Sequence, residues 1–328
     1  MALRHLAADV GVGTSLDVLR REAPERLWAR HAAAQARYRA GEHHRPDGEA
    51  SWLDLKRLLG EQQLQDCHLC TWECGTDRSN GLNGRCGVGV RMNLTAEYLH
   101  MGEEPELVPA HTLFFTGCTM RCSFCQNWKG AFYPESGASY ETLSMARIVA
   151  QREREGAKCV NFVGGTPEPY LPMILDLAAD LDPEVQVPFV FNCNGTATPE
   201  ALALMDGVID LYLPDWKYGT DACSERHSEF PDYWRTIETF VRTAADQGDL
   251  LIRHLVMPGH LDCCTEPILA WLGQHMPAVR LNLMFQYRPC HEAKQDPVLG
   301  RRLRPDEEQR AQAMVDRYGL TNLVFRAW

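Results

Sequence analysis

No run of apolar residues in this 328-residue chain approaches the ~20 that a helix needs to cross a bilayer, so no membrane span is expected. Basic residues are in deficit. Against 44 Asp and Glu stand 33 Lys and Arg, a net charge of −11, and no dense lysine or arginine block occurs. Phosphate neutralisation dominates nucleic-acid binding, so no nucleic-acid partner is expected either. A secretory signal is also lacking: Met1-Ala2-Leu3-Arg4-His5 leads into a mixed segment. That argues against an extracellular disulfide scaffold and for a cytoplasmic protein. The 45% hydrophobic and 23% charged residues are ordinary for a globular chain, sized for one large α/β domain with an appended segment or two modest domains.

What the chain has in excess is cysteine. Thirteen are many for this length, and clustered cysteines in a cytosolic chain more often bind metal than pair. Cys118-Thr119-Met120-Arg121-Cys122-Ser123-Phe124-Cys125 follows directly on the apolar run Leu113-Phe114-Phe115. Three thiolates at Cys-x3-Cys-x2-Cys spacing can hold three corners of a cubane [4Fe–4S] cluster, whose usual complement is four. The missing ligand leaves one iron with an open position, the feature that separates reactive metal centres from closed structural ones. A second group, Cys67-x2-Cys70-x3-Cys74-x11-Cys86, lies among Gly75, Gly81, Gly84, Gly87 and Gly89. Four cysteines so arranged suit either tetrahedral zinc or a second, fully ligated [4Fe–4S] cluster.

Around these groups the chain divides into three parts. Residues 1–64 read as a helical extension, with Leu16, Leu19, Leu27 and Trp28 on one apolar stripe, Pro24 at a break or start, and Ser51 capping a helix through Trp52, Leu53 and Leu55. His43 and His44 fall in a polar linker and read as solvated. Residues 65–110 form the four-cysteine metal-binding segment. From residue 111 to 328, strands alternate with amphipathic stretches, the pattern of parallel βα units. Expected strands are Thr112–Thr116, Cys159–Val163, Pro188–Cys193, Val208–Leu213, Leu250–Val256 and Arg280–Gln286, with Leu323–Phe325 as an added edge. Six units make an α/β fold with a partial, open (β/α)6 barrel, whose mouth lies at the C-terminal strand ends.

The Cys-x3-Cys-x2-Cys motif, with Phe124 before its third cysteine, resembles the signature of the radical S-adenosylmethionine (SAM) superfamily. From Cys67 onward the chain is similar to the pyruvate formate-lyase activating enzyme-like (PflX-like) group. The matching landmarks are the upstream cysteines, His100-Met101-Gly102-Glu103-Glu104-Pro105, Cys125-Gln126-Asn127, Leu213-Pro214-Asp215-Trp216-Lys217-Tyr218, Arg253-His254-Leu255-Val256-Met257-Pro258-Gly259 and Gln286-Tyr287. The resemblance implies that SAM chelates the open iron and that one electron, from a reductant such as flavodoxin or ferredoxin, cleaves it to a 5′-deoxyadenosyl radical. It further implies that Gly164, Gly165, Thr166 and Glu168 meet the amino group of SAM, that Asn192 reaches its ribose or methionine part, and that Phe124 packs near the adenine. Asp215 and Lys217 follow the fourth strand. Arg253 or His254 would hold the SAM carboxylate, only one of the two pointing inward because strand side chains alternate. Gln286, Tyr287 and Arg288 would form the substrate rim.

Cys193 departs from the family pattern, which has threonine or serine after the strand-end asparagine. A thiol facing a substrate radical can return a hydrogen atom to the opposite face, making the net reaction an epimerisation of a sugar or natural-product intermediate. Cys290, near the expected mouth, is a second candidate donor. Cys159, Cys223, Cys263 and Cys264 show no cluster pattern, and most of these are assigned to packing. Two other readings stand beside the epimerase of a small molecule. One is an activase that installs a glycyl radical on a partner protein, and the other is a non-enzymatic metal-binding interaction protein.

Overall fold

The computed structural model describes residues 2–324. Four helices come first: α1 (Leu3–Ala8), α2 (Leu16–Leu19), α3 (Pro24–Arg39) and α4 (Trp52–Gln65). Pro24 opens α3 at its first position, where the missing N–H costs nothing. Ser51 caps α4 in a reciprocal box: its hydroxyl accepts the Asp54 N–H at 3.0 Å, and the Asp54 carboxylate accepts the Ser51 N–H at 2.9 Å. Leu19, Leu27, Trp52, Leu55 and Leu59 are buried in the same apolar core as the barrel strands and helices, with Leu16 and Trp28 packed against it. Lys56 is wholly buried as well, its ammonium donating to the carbonyls of Ala203 and Leu204 at 2.9 and 3.1 Å.

The remainder alternates. β1 (Met92–His100) and β2 (Ala110–Phe115) precede α5 (Trp128–Phe132), β3 (Ala138–Tyr140) and α6 (Thr142–Arg154). Then follow β4 (Cys159–Gly164), α7 (Leu171–Asp180), β5 (Phe189–Cys193), α8 (Pro199–Met205), β6 (Leu211–Pro214), α9 (Asp221–Ser228) and α10 (Tyr233–Gln247). The series closes with β7 (Asp249–Leu255), α11 (Glu266–His275), β8 (Arg280–Met284) and α12 (Pro305–Arg317). One sheet runs β3-β1-β2-β4-β5-β6-β7-β8. β2 and β4 to β8 pair in parallel and are the six expected strands; the open partial (β/α)6 barrel is the fold.

Two strands extend this array beyond the expectation. β1 pairs antiparallel with β2, and β3 antiparallel with β1. β1 is half exposed and broken by a bulge between Leu94 and Ala96, so its sequence lacks the buried run that marked the others. α9 was also not expected; its polar sequence carries little periodicity. At the far edge Leu281 bridges in parallel to Leu323, while Phe325 lies outside the described residues. Parallel pairing brings strand ends into one layer: Phe115 faces Gly164, Cys193 faces Pro214, and Arg253 faces Asn282.

Candidate metal and cofactor site

At that layer opens a cavity of about 870 Å³. Its wall is assembled from successive strand ends: Gly164 and Gly165 after β4, Asn192 and Cys193 on β5, Asp215 and Lys217 after β6, Arg253 on β7 and Asn282 on β8. Cys118, Cys122, Cys125 and Phe124 line it from the loop after β2, and Gln286, Tyr287 and Arg288 from the segment after β8.

The cysteine loop is fastened from several parts of the chain. Cys118 N–H donates to the Cys86 carbonyl at 3.1 Å, Gly117 N–H to Gly130 at 3.0 Å, Arg121 N–H to Ser228 at 2.9 Å and Ser123 N–H to His227 at 2.8 Å. Gly165 presses on the loop so closely that a Cβ there would stand 1.7 Å from the Gly117 carbonyl oxygen. Only glycine fits, and the reason is chain packing rather than approach by a ligand. The three thiols receive polar neighbours. Asn194 Nδ2 donates to Cys118 Sγ at 3.2 Å, and the Ser228 hydroxyl to Cys122 Sγ at 2.9 Å. Burial, reinforced by Cys122, pushes the Cys118 thiol up to about 12, and burial likewise raises Cys122 and Cys125. Three crowded thiolates thus need a compensating cation, and donors aimed at sulfur suit a cluster.

Charge is concentrated on the opposite wall. Arg253 donates from Nε to Glu104 Oε1 at 2.7 Å and from Nη2 to Glu104 Oε2 and Glu103 Oε2 at 2.5 Å each. Asn282 Nδ2 adds a bond to Glu104 Oε1 at 2.7 Å. Burial alone would raise the Glu103 carboxyl; His100 and Arg253 overcome it and hold the group down to about 2. Lys217 bonds Asp215 at 2.6 Å. Burial works against its charge, but Asp215 first and the nearby Cys122 next raise its pKa. Asn192 is 6% exposed and its Nδ2 has no partner, a polar donor left for a ligand of the cavity.

Comparison with known proteins bears on this site directly. Residues 112–272, which include the cysteine loop and the strand ends through β7, match the family model of the Radical SAM superfamily. Over 274 residues the chain is 39% identical to the uncharacterized protein MJ0674 of Methanocaldococcus jannaschii, covering 82% of this chain and 79% of that one. The chain belongs to the radical SAM superfamily.

Among solved structures it is similar to SuiB of Streptococcus suis bound to the precursor peptide SuiA (10% identity, TM-score 0.48, 66% of this chain). It spans 48% of SuiB. A second similar structure is the FeFe-hydrogenase maturase HydG from Carboxydothermus hydrogenoformans, with 12% identity and a TM-score of 0.46, covering 98% of this chain and 70% of that one. A radical SAM domain carries a [4Fe–4S] cluster and SAM, and the buried thiols with the free Asn192 donor fit both.

Not every expected residue of the radical SAM site reaches the cavity. Of the neighbours Arg253 and His254, Arg253 lines it, whereas His254 turns away to Trp216 O at 2.7 Å and Thr265 Oγ1 at 2.9 Å. Arg253 is already engaged by two carboxylates, so it is not a free clamp for a third. Glu168 is buried behind the wall, accepting from Thr196 N–H and Oγ1 at 3.1 Å each and from the Thr166 hydroxyl. Thr166 and Glu168 therefore support the β4 and β5 loops rather than line the space. Tyr287 lines the cavity but donates its hydroxyl to the Leu299 carbonyl at 2.9 Å. Phe124 stands edge-on to Tyr218 and Tyr287. Cys290, half buried at the start of a 3-10 turn, is not among the lining residues.

Sequence reasoning gave no role to Glu103, Glu104, Asn194, Ser228 or Asn282. Glu103 and Glu104 stood within a quoted landmark, and paired acids before an apolar strand were the available signal.

The two remaining cysteine-rich groups lie on either side of the cysteine loop in the chain. The Cys67–Cys86 segment adjoins the cluster loop: besides the Cys86 carbonyl bond, Trp72 Nε1 donates to Thr119 O at 2.7 Å. Cys67, Cys70 and Cys86 are buried and Cys74 exposed, with Cys74 and Cys86 both close to Gly84. Cys223, Cys263 and Cys264, assigned above to packing, instead converge with His260, all four ligand atoms lying within 4.8 Å of one another. Spacing gave no warning, because Cys223 and His260 are 37 positions apart and meet only through the fold.

Proposed function

We propose that this radical SAM enzyme works on a small molecule in the β-barrel cavity and returns hydrogen to it from Cys193, so that the net reaction is an epimerisation. The observation that supports this reading is that Cys193, at the end of β5, borders the same cavity as Cys118, Cys122 and Cys125. Cys118, Cys122 and Cys125 would hold the cluster, and Asn192 would take up a polar atom of SAM. When bound and reduced by one electron, cluster and SAM supply a 5′-deoxyadenosyl radical that removes a hydrogen atom from substrate carbon.

Everything else falls to side chains. A hydrogen-atom donor must keep its S–H, and burial raises the Cys193 thiol well above its ordinary value, aided by Glu168. After the transfer, the Cys193 thiyl needs one electron, from a reductant such as flavodoxin or ferredoxin, and one proton from solvent. Lys217, charged beside Cys122, favours anionic sulfur there. The Glu103–Glu104–Arg253 network gives the far wall fixed charge, and Gln286 and Arg288 supply polar contacts at the rim.

The four-cysteine group reads as a second [4Fe–4S] cluster rather than zinc. Its donors are not gathered within 4.8 Å as the Cys223 group is, and a cubane spreads its ligands over separate irons. Anaerobic reconstitution should then give about eight irons per chain.

Turnover in heavy water is the test. Deuterium should enter the product at the inverted carbon, and Cys193→Ala should still release deoxyadenosine but lose that product. Unchanged turnover by Cys193→Ala would remove Cys193 from the mechanism. A doublet-split glycyl signal on a purified partner protein would make the substrate a protein instead.

A further inference from the structure

Two segments that follow β6 and β7 meet in a further constellation of ligands. Cys223 stands in the first turn of α9, where its N–H bonds the hydroxyl of the cap residue Thr220 at 3.3 Å. His260, Cys263 and Cys264 come from the segment between β7 and α11, which winds through one π-helical turn, Leu261–Thr265. Such turns are rare and concentrate at functional sites. Here the wider turn places two consecutive cysteines and the preceding histidine toward one point. Gly219 lets α9 approach: a Cβ there would stand 2.7 Å from the carbonyl oxygens of both Cys263 and Cys264.

The separations can be set against the geometry of a single ion. With zinc–sulfur bonds of about 2.3 Å and zinc–nitrogen bonds of about 2.0–2.1 Å, a tetrahedron has sulfur–sulfur edges of about 3.8 Å and sulfur–nitrogen edges of about 3.6 Å. Cys223 and Cys263 place their sulfurs 3.5 Å apart, and Cys263 and Cys264 theirs 3.9 Å apart. His260 Nδ1 lies 3.3 Å from Cys263 Sγ and 3.7 Å from Cys223 Sγ. The donors already stand near the corners of one tetrahedron, much too close for ligands of four separate irons. Three cysteines and one histidine are also a recurrent structural zinc set.

We propose that Cys223, His260, Cys263 and Cys264 bind one zinc ion. The site is distinct from the radical SAM cluster and from the Cys67–Cys86 group, and it stands whether or not the epimerase reading does. Its place in the fold is informative. α9 carries Cys223 near its beginning and Ser228 at its end, and Ser228 bonds the thiol of Cys122 while the carbonyls of His227 and Ser228 hold the cluster loop. Zinc therefore fastens to the turn after β7 the helix on which that loop rests.

The full chain, purified anaerobically with iron and zinc supplied and its clusters reconstituted, provides the test. Metal analysis should find one zinc per chain, and zinc-edge X-ray absorption should give three sulfurs at about 2.3 Å and one nitrogen at about 2.0–2.1 Å. The double variant Cys263→Ser, Cys264→Ser should lose this zinc while its iron content stays at the parent value. Cys67→Ser with Cys70→Ser should keep it. A parent chain without zinc, an all-sulfur shell, a Cys223–Cys263 disulfide in its place, or zinc lost only with Cys67 and Cys70 would each overturn the assignment. If the serine variants fail to fold, the shell measured on the unaltered chain decides alone.

Discussion

The hydroxyl of Ser228 lies 2.9 Å from the thiol of Cys122, and the hydroxyl of Tyr218 lies 2.5 Å behind it. Since Ser228 donates to sulfur, Tyr218 donates to Ser228, and the pair forms a short relay of hydrogen bonds ending on the Cys122 thiol, a proposed cluster ligand. Bonds to ligand sulfur stabilise the reduced, more negative state of an iron–sulfur centre. Ser228→Ala should therefore lower the cluster potential on the order of tens of millivolts, without loss of iron. A redox titration followed by electron paramagnetic resonance checks this. Ser228→Thr, which keeps the hydroxyl, should stay near the parent.

Arg253 bonds both Glu103 and Glu104. Removing it takes from two buried carboxylates the guanidinium they share, which costs about 3–5 kcal/mol. Urea denaturation of Arg253→Ala near neutral pH should show that loss. Acid should narrow it. Glu103 has its folded pKa depressed to about 2 from an ordinary 4.5, so its contribution is present above about 4.5 and disappears as pH falls toward 2. In the variant Glu103 keeps His100 and Glu104 keeps Asn282, but both lose Arg253 and protonate sooner, so the deficit relative to the parent should shrink across the same window. A deficit independent of pH would mean that lost packing dominates.

Gly165→Ala asks for a carbon atom 1.7 Å from a backbone oxygen that belongs to the cluster loop. Backbone cannot yield as a side-chain tip can, so β4 or the loop must move. A stability loss of about 3 kcal/mol or more is expected, together with reduced iron retention. Thermal unfolding and iron analysis on the same preparation would check both, and full iron with parent stability would contradict the geometry.

Asn192→Ala removes the unpaired donor from the cavity wall. If SAM uses it, affinity should fall about tenfold, the equivalent of one hydrogen bond of about 1.4 kcal/mol, with no change in iron content. Calorimetric titration of the reconstituted enzyme measures the difference directly.

The six parallel strands were legible because each centres on an apolar run, buried throughout in Phe189–Cys193 and Leu211–Pro214. The Cys118–Cys122–Cys125 motif was legible because its cysteines are neighbours in the chain. Interactions between distant segments were not. Arg253 and Glu104 are 149 positions apart, and neither advertises the other. Alternation rightly predicted that only one of Arg253 and His254 faces inward, but it did not reveal that Arg253 would be occupied. The antiparallel β1 offers no continuous apolar run: Asn93, Thr95 and Glu97 alternate with Met92, Leu94 and Ala96, and a bulge interrupts the register.

The fastening of the cysteine loop bears on how the protein matures. Its backbone bonds run to Cys86, Gly130, His227 and Ser228, and the Ser123 carbonyl receives the N–H of Ala293. The three thiols thus acquire their positions only after segments spread over some two hundred residues have met. Contacts of such separation form late, because loop closure must come first. Iron delivery should accordingly meet a chain whose barrel is already assembled, and a newly made polypeptide still emerging from synthesis would offer the motif but not the site.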